Sequence, residues 1–148
     1  MSIKIEFLDT DTNKAEIILC FTTNFQINVL KEVNMLFVDG IFKTSPRTFY
    51  QLLNIIGYIP GKELIIPIFT AAITSKAEKI YRYTLIEFQK IINNLNIKID
   101  FKKIKFMTDF EVNLRAVINK LYPDSELLGC YFHYIKNLYC KLKKNRFD

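Results

Sequence analysis

The sequence predicts an α/β fold, a mixed five-stranded sheet with helices on both faces. Three observations carry that expectation. Three apolar strand-like runs come together, a long amphipathic segment follows, and strands and helices then alternate to the end. The 148 residues are one domain's worth; half are hydrophobic and only four are glycine, which favours a packed core over disorder. The apolar runs also stop at polar or reactive residues, and strand ends are where α/β folds keep chemistry.

Residues 1–32 read as an N-terminal extension and 33–148 as the domain proper. Within the extension, residues 15–22 have strand character and 25–32 form a short helix. Residues 33–38 are apolar through Leu36-Phe37-Val38 without alternation, the pattern of a central strand buried on both faces. Gly40 is expected to end that strand in a turn. Residues 49–58 and 64–73 flank Ile59-Pro60-Gly61-Lys62, and the Pro-Gly step predicts an antiparallel hairpin. Pro67 cannot donate to a ladder, so its strand is expected at a sheet edge.

Ser75-Lys76-Ala77-Glu78 fits a capping box. Behind it Ala77, Ile80, Tyr81, Leu85, Phe88, Ile91, Ile92 and Leu95 keep helical spacing. Residues 103–107 read as a strand, and Leu114, Val117, Ile118 and Leu121 mark a helix stopped by Pro123. Residues 127–131 are a last short strand, and Ile135, Leu138, Tyr139 and Leu142 form the stripe of a basic C-terminal helix. This order is similar to the ribonuclease H-like arrangement, where the first and fourth strands lie adjacent and parallel at the centre.

The formal charge is +6, and it is uneven. After Phe132 come Lys136, Lys141, Lys143, Lys144 and Arg146 against Asp148 alone. Such an end suits a polyanion, nucleic acid before an anionic membrane, with a solvated helix face as the alternative. Cys20, Cys130 and Cys140 are an odd, widely spaced set, which fits a reducing compartment better than a disulfide framework. The start, Met1-Ser2-Ile3-Lys4-Ile5-Glu6, lacks the apolar segment of a signal peptide, and no stretch approaches the ~20 apolar residues of a membrane span. A soluble intracellular protein is expected. Gly-rich phosphate loops, GxSxG and HExxH are missing, which sets those enzyme classes aside.

Asp39 and Asp109 each follow a strand-like run. Neighbouring strands lie ~4.8 Å apart, so carboxylates at adjacent ends can bridge divalent ions ~4 Å from each other. Magnesium or manganese would suit those hard oxygens. Each aspartate also has a plain structural reading. Asp39-Gly40 is a common turn pair, and Thr108-Asp109-Phe110-Glu111 matches a capping box with Glu111 as cap partner. Cys130 and His133 have a zinc-site spacing, but with one histidine in the chain Cys140 and Cys20 would have to complete the set. The alternative is a small buried thiol and a histidine near a helix start.

Taken in order, Phe37-Val38-Asp39-Gly40-Ile41-Phe42-Lys43-Thr44-Ser45-Pro46, then Phe49-Tyr50-Gln51-Leu52, Lys76 to Tyr81, Met107-Thr108-Asp109-Phe110-Glu111 and Gly129-Cys130-Tyr131-Phe132-His133 closely resemble the Mutator-like element (MULE) transposase domain. Ile17-Ile18-Leu19-Cys20-Phe21-Thr22 is similar to the family's preceding strand, and Ile41 replaces its usual threonine. The resemblance implies a ribonuclease H-like, DDE-type nuclease and strand transferase, nuclear or otherwise intracellular, with Mg²⁺ or Mn²⁺ as cofactor. Asp39 and Asp109 would be the first two catalytic carboxylates and metal ligands. Cys130, His133, Lys136, Lys141, Lys143 and Lys144 would serve DNA. The partner would be DNA at transposon ends, with no membrane or small-molecule substrate, and homo-oligomerisation is left open. No glutamate stands where the family has its third carboxylate, downstream of Cys130 and His133. The expected fold is therefore C-terminally incomplete, a truncated or degenerate copy doubtful as an enzyme on its own. The alternative is a domesticated remnant that binds DNA or protein without chemistry.

Overall fold

The computed structural model describes residues 2–9, 14–41 and 45–144. Its centre is β3 (Met35–Ile41), flanked by antiparallel β4 (Gln51–Ile59) and parallel β6 (Lys105–Thr108). β7 (Leu127–Gly129) runs parallel to β6, and β5 (Leu64–Ile73) pairs antiparallel with β4. Beyond β5 come β2 (Lys14–Phe21) and β1 (Ser2–Asp9), also antiparallel. The seven-stranded order is β1-β2-β5-β4-β3-β6-β7. The mixed sheet and the central parallel pair agree with expectation. The count of five does not, because the extension adds β2 to the edge that β5 would otherwise present, and residues 2–9 add a strand the sequence reading did not contain.

Pro67 records that addition. β2 pairs with β5 only across Thr70–Ile73, so β5 is internal there and an edge around Pro67. The Ile55–Phe69 and Ile56–Pro67 pairs leave Ile68 as a bulge. Its carbonyl accepts from Thr22 Oγ1 at 2.6 Å, and that of Pro67 from Gln26 Nε2 at 2.9 Å. Two side chains after β2 thus satisfy carbonyls that no strand reaches. The β4–β5 hairpin turns where the Pro-Gly step predicted, with Gly61 at φ +78°.

Alternation decides which face is packed. Leu36, Val38, Leu53, Ile55, Phe69, Ala71, Ile73, Ile18, Cys20 and Phe106 all turn to one side and are buried. There they meet Ile27 of α1 (Asn24–Val29), the Ile80, Leu85, Phe88 and Ile92 stripe of α2 (Glu78–Asn94), and Leu114, Val117 and Ile118 of α3 (Val112–Leu121) in one cluster. The opposite face, with Phe37, Leu52, Asn54, Ile56 and Thr70, is half-exposed. α1 to α3 share the packed side. α4 (Tyr131–Lys144) leaves Tyr131, Ile135, Leu138, Tyr139 and Leu142 exposed. Among the described residues no helix is long and apolar enough to cross a membrane.

Both capping boxes are corrected. α2 starts at Glu78 with Ala77 as N-cap, and the Glu78 carboxylate pairs with Lys120 of α3. α3 starts at Val112 with Glu111 as N-cap. Thr108 cannot cap it, because Thr108 is still the last residue of β6.

Candidate functional site

The parallel strands β3, β6 and β7 point their C-terminal ends the same way, and the predicted site residues gather there. Val38 pairs with Thr108, so the next residues along the two strands are Asp39 and Asp109. Neighbouring strands put their α-carbons ~5 Å apart. Asp39-Gly40 forms no turn: β3 continues through both to Ile41. Glycine is needed at position 40 for room, since a Cβ there would overlap the Oε1 of buried Gln51 and lie 3.0 Å from its Cδ. Phe42, Lys43 and Thr44 of the first motif lie outside the described residues.

Asp39 Oδ1 accepts from its neighbour's N–H, that of Gly40, at 2.9 Å. Asp109 Oδ1 accepts from the Glu111 N–H at 3.1 Å. Among the described residues no side chain pairs with either carboxylate. Asp39 also heads a polar row across the half-exposed face, opposite Asn54, which is itself opposite Thr70. Thr70 Oγ1 donates to Asn54 Oδ1 at 2.8 Å. Asn54 was not singled out from the sequence, where it stands alone inside an apolar strand.

Glu111 is the residue most changed by the structure. Its carboxylate receives Lys76 Nζ at 2.8 Å and the Tyr81 hydroxyl at 2.6 Å, both from around the start of α2. Tyr81 is fully buried, and its hydroxyl accepts from Gln51 Nε2 at 2.6 Å. Burial first, then the bond to Glu111, keep this phenol protonated well above its ordinary range. Arg115, also unmarked in the sequence, donates through Nη1 to Thr108 Oγ1 at 3.1 Å and to the Leu128 carbonyl at 3.0 Å. One guanidinium thus ties the ends of β6 and β7 together beside Asp109.

Cys130 follows β7 and donates its N–H to the Thr108 carbonyl at 2.7 Å, next to Asp109. His133 stands one turn further along α4, with Nδ1 buried and without a hydrogen-bond partner among the described residues. A zinc set does not assemble: Cys20 lies in the core, Cys140 is exposed on α4, and the described residues hold no group of three or more His, Cys, Asp and Glu placed to bind one metal ion. Lys136, Lys141 and Lys143 are exposed on α4, the last with Nζ 4.8 Å from the Tyr139 ring centre. Lys144 ends the helix, and its side chain lies outside the described residues. Between α4 and the Asp109 loop runs a groove lined by Phe110, Tyr134, Leu138 and Lys141.

The site thus has Asp39 and Asp109 one residue beyond a paired position of adjacent strands, with the basic, aromatic α4 starting just after neighbouring β7. A comparison with curated proteins finds no match. The family model for the MULE transposase domain matches residues 35–137, a span that takes in Asp39, Lys76, Tyr81, Asp109, Glu111, Cys130 and His133, and the chain belongs to that family.

Proposed function

We propose that this chain is a DDE-type transposase domain of ribonuclease H-like architecture, acting on the phosphodiester backbone of duplex DNA at transposon ends. The observation that carries the reading is that Asp39 and Asp109 come one residue after Val38 and Thr108 respectively, the last residues to pair between two adjacent parallel strands. The donor set fits magnesium or manganese. Both ligands are hard carboxylates, each with one oxygen steadied by a backbone N–H. Bound there, divalent ions would polarise a phosphate oxygen and activate the attacking water or 3′-hydroxyl. Asp39 and Asp109 would hold them, while Lys136, Lys141 and Lys143 meet the phosphates.

Glu111 does not supply the third acid of such a set. Both its oxygens are taken, by Lys76 and by buried Tyr81. The chain's own residues offer a two-carboxylate site, so modest metal affinity and weak or absent strand transfer by the isolated chain are expected. Titrating Mn²⁺ into the full chain and following water-proton relaxation tests this. One saturable site is expected, weakened at least tenfold by Asp39→Asn and by Asp109→Asn. If the wild type shows no saturable binding, or both variants match it, the metal reading fails.

α4 favours a second reading, a DNA-binding module without chemistry. The helix carries no acidic residue and exposes Lys136, Lys141 and Lys143 together with its aromatic rings. That reading requires salt-sensitive duplex binding that survives Asp39→Ala and Asp109→Ala. Binding that disappears in those variants while the fold persists would exclude it.

A further inference from the structure

A chain of polar bonds, fully buried at Gln51 and Tyr81, runs from a packing contact at Gly40, beside one aspartate, to a backbone N–H bonded to the other. At one end Gln51, fully buried at the start of β4, packs against Gly40, the residue after Asp39. Gln51 Nε2 donates to the Tyr81 hydroxyl at 2.6 Å, which donates to Glu111 Oε1 at 2.6 Å. Lys76 Nζ holds Glu111 Oε2 at 2.8 Å. At the other end the Glu111 N–H donates to Asp109 Oδ1 at 3.1 Å. Asn113 Nδ2 closes the loop onto the Lys76 carbonyl at 2.9 Å.

We infer that Gln51, Tyr81, Glu111 and Lys76 form a positioning strut that sets the separation of Asp39 and Asp109, and through it the affinity of the pair for a divalent cation. The inference rests on the reading of those aspartates as metal ligands. Stability alone is a poor reason for this chain. Apolar side chains of similar volume would fill the same space without desolvating a carboxylate and an amide. What apolar packing lacks is direction. A hydroxyl that accepts from one side and donates to the other fixes both neighbours, and the lengths along the chain vary by only tenths of an ångström. Nothing else described ties the Asp109 loop to the Gly40 end of β3 through side chains. β6 stops at Thr108, so the sheet ladder does not hold Asp109 itself. A metal site with two protein ligands tolerates little drift between them, because the distance between the ligands selects the ion.

Tyr81→Phe removes the hydroxyl while keeping the ring. Gln51 then loses its donor's partner, Glu111 keeps only Lys76, and the Asp109 loop is freed to move. Mn²⁺ titration of the full chain by water-proton relaxation is expected to show affinity weakened ~10-fold, the size of effect typical of groups that orient metal ligands. The comparison is made on variants whose circular dichroism matches wild type. Lys76→Met and Glu111→Gln, acting at the same carboxylate, are expected to weaken binding in the same direction, and Lys76→Arg to restore it. They decide the matter if Tyr81→Phe does not fold. A merely structural role would lower the denaturation midpoint and leave the Mn²⁺ affinity of the folded protein unchanged, which overturns the inference. A wild type that binds no Mn²⁺ is a different failure: it removes the metal reading, and the strut with it.

Discussion

Gly40→Ala isolates the contact on which the Asp39 end depends. The new Cβ would overlap Gln51 Oε1 and lie 3.0 Å from its Cδ. Gln51 has nowhere to go: it is fully buried, and moving it breaks the 2.6 Å bond to Tyr81. Overpacking costs ~1–3 kcal/mol, and losing a buried hydrogen bond costs ~1–3 kcal/mol more. Against this stands ~0.4–1 kcal/mol from the stiffer unfolded chain. The net expectation is destabilisation of about 2–4 kcal/mol. Gly129→Ala is the matched control. Its Cβ would come to 2.7 Å from the Phe110 ring, also too close for a real contact, but Phe110 is 43% exposed and has solvent to swing into. That variant is expected within ~1 kcal/mol of wild type. Urea denaturation of both, with unchanged slopes, measures the difference. Adding Gln51→Ala to Gly40→Ala should recover part of the loss, since the clash is removed with its cause. Equal stability of the two alanine variants, or strict additivity in the double variant, would refute the argument.

Three further outcomes follow from the same coordinates. Tyr81 and Tyr122 are both pushed above the ordinary phenol value by burial, so stability they share is full below pH ~10 and lost above it, as the unfolded chain ionises first. Tyr81→Phe should lessen the fall of urea-derived stability above pH ~10, by up to ~1.4 kcal/mol per pH unit, and an unchanged slope there would count against the buried phenol. Thiol labelling at pH 8 should modify Cys140 first, Cys130 more slowly and Cys20 only on unfolding, because Cys20 is 1% exposed and pushed up to about 12 by burial and then by Glu87; mass spectrometry of the labelled peptides reads the order. Thr22→Val leaves the Ile68 carbonyl at the bulge without its 2.6 Å donor and should cost ~1–2 kcal/mol by urea denaturation.

Much of the fold was legible because its strongest signals are local. The Pro-Gly step fixed the β4–β5 hairpin, and the 3.6-residue stripe from Ile80 to Ile92 fixed α2 and its buried face. The parallel β3–β6 pair was expected from the likeness of the element order to the ribonuclease H-like arrangement, where the first and fourth strands are neighbours. What failed was either non-local or ambiguous by one residue. Nothing in Asp39-Gly40 distinguishes a glycine that turns from one that makes room for Gln51, a residue on the next strand. Thr108-Asp109-Phe110-Glu111 has the letters of a capping box, but the competition was decided by β6, which keeps Thr108 in the sheet and gives its hydroxyl to the Asp109 carbonyl at 2.7 Å. The strand at residues 2–9 was missed although Asp9-Thr10-Asp11-Thr12-Asn13, a run of turn formers, stands between it and β2; its pairing partner lies in that same extension.

The site was legible as positions and illegible as connections. Asp39, Asp109, Cys130 and His133 were placed at strand ends from the sequence, and all four are at one end of the sheet. The lysine and tyrosine of the Lys76 to Tyr81 segment carried a resemblance but no chemistry until both were found on Glu111. A sequence cannot show that, since the three residues lie on two elements and meet only when α2 packs beside α3. The consequence reaches back to the third acid that the resemblance implies. A carboxylate close to Asp109 exists, and its two oxygens are committed to holding the loop rather than to a metal. Freeing it, as Lys76→Met with Tyr81→Phe would do, exposes a third acid while loosening the pair it would join. If that double variant binds Mn²⁺ more tightly than wild type, Glu111 is a ligand held in reserve and the strut is wrong; weaker binding, at least tenfold, is what the geometry requires.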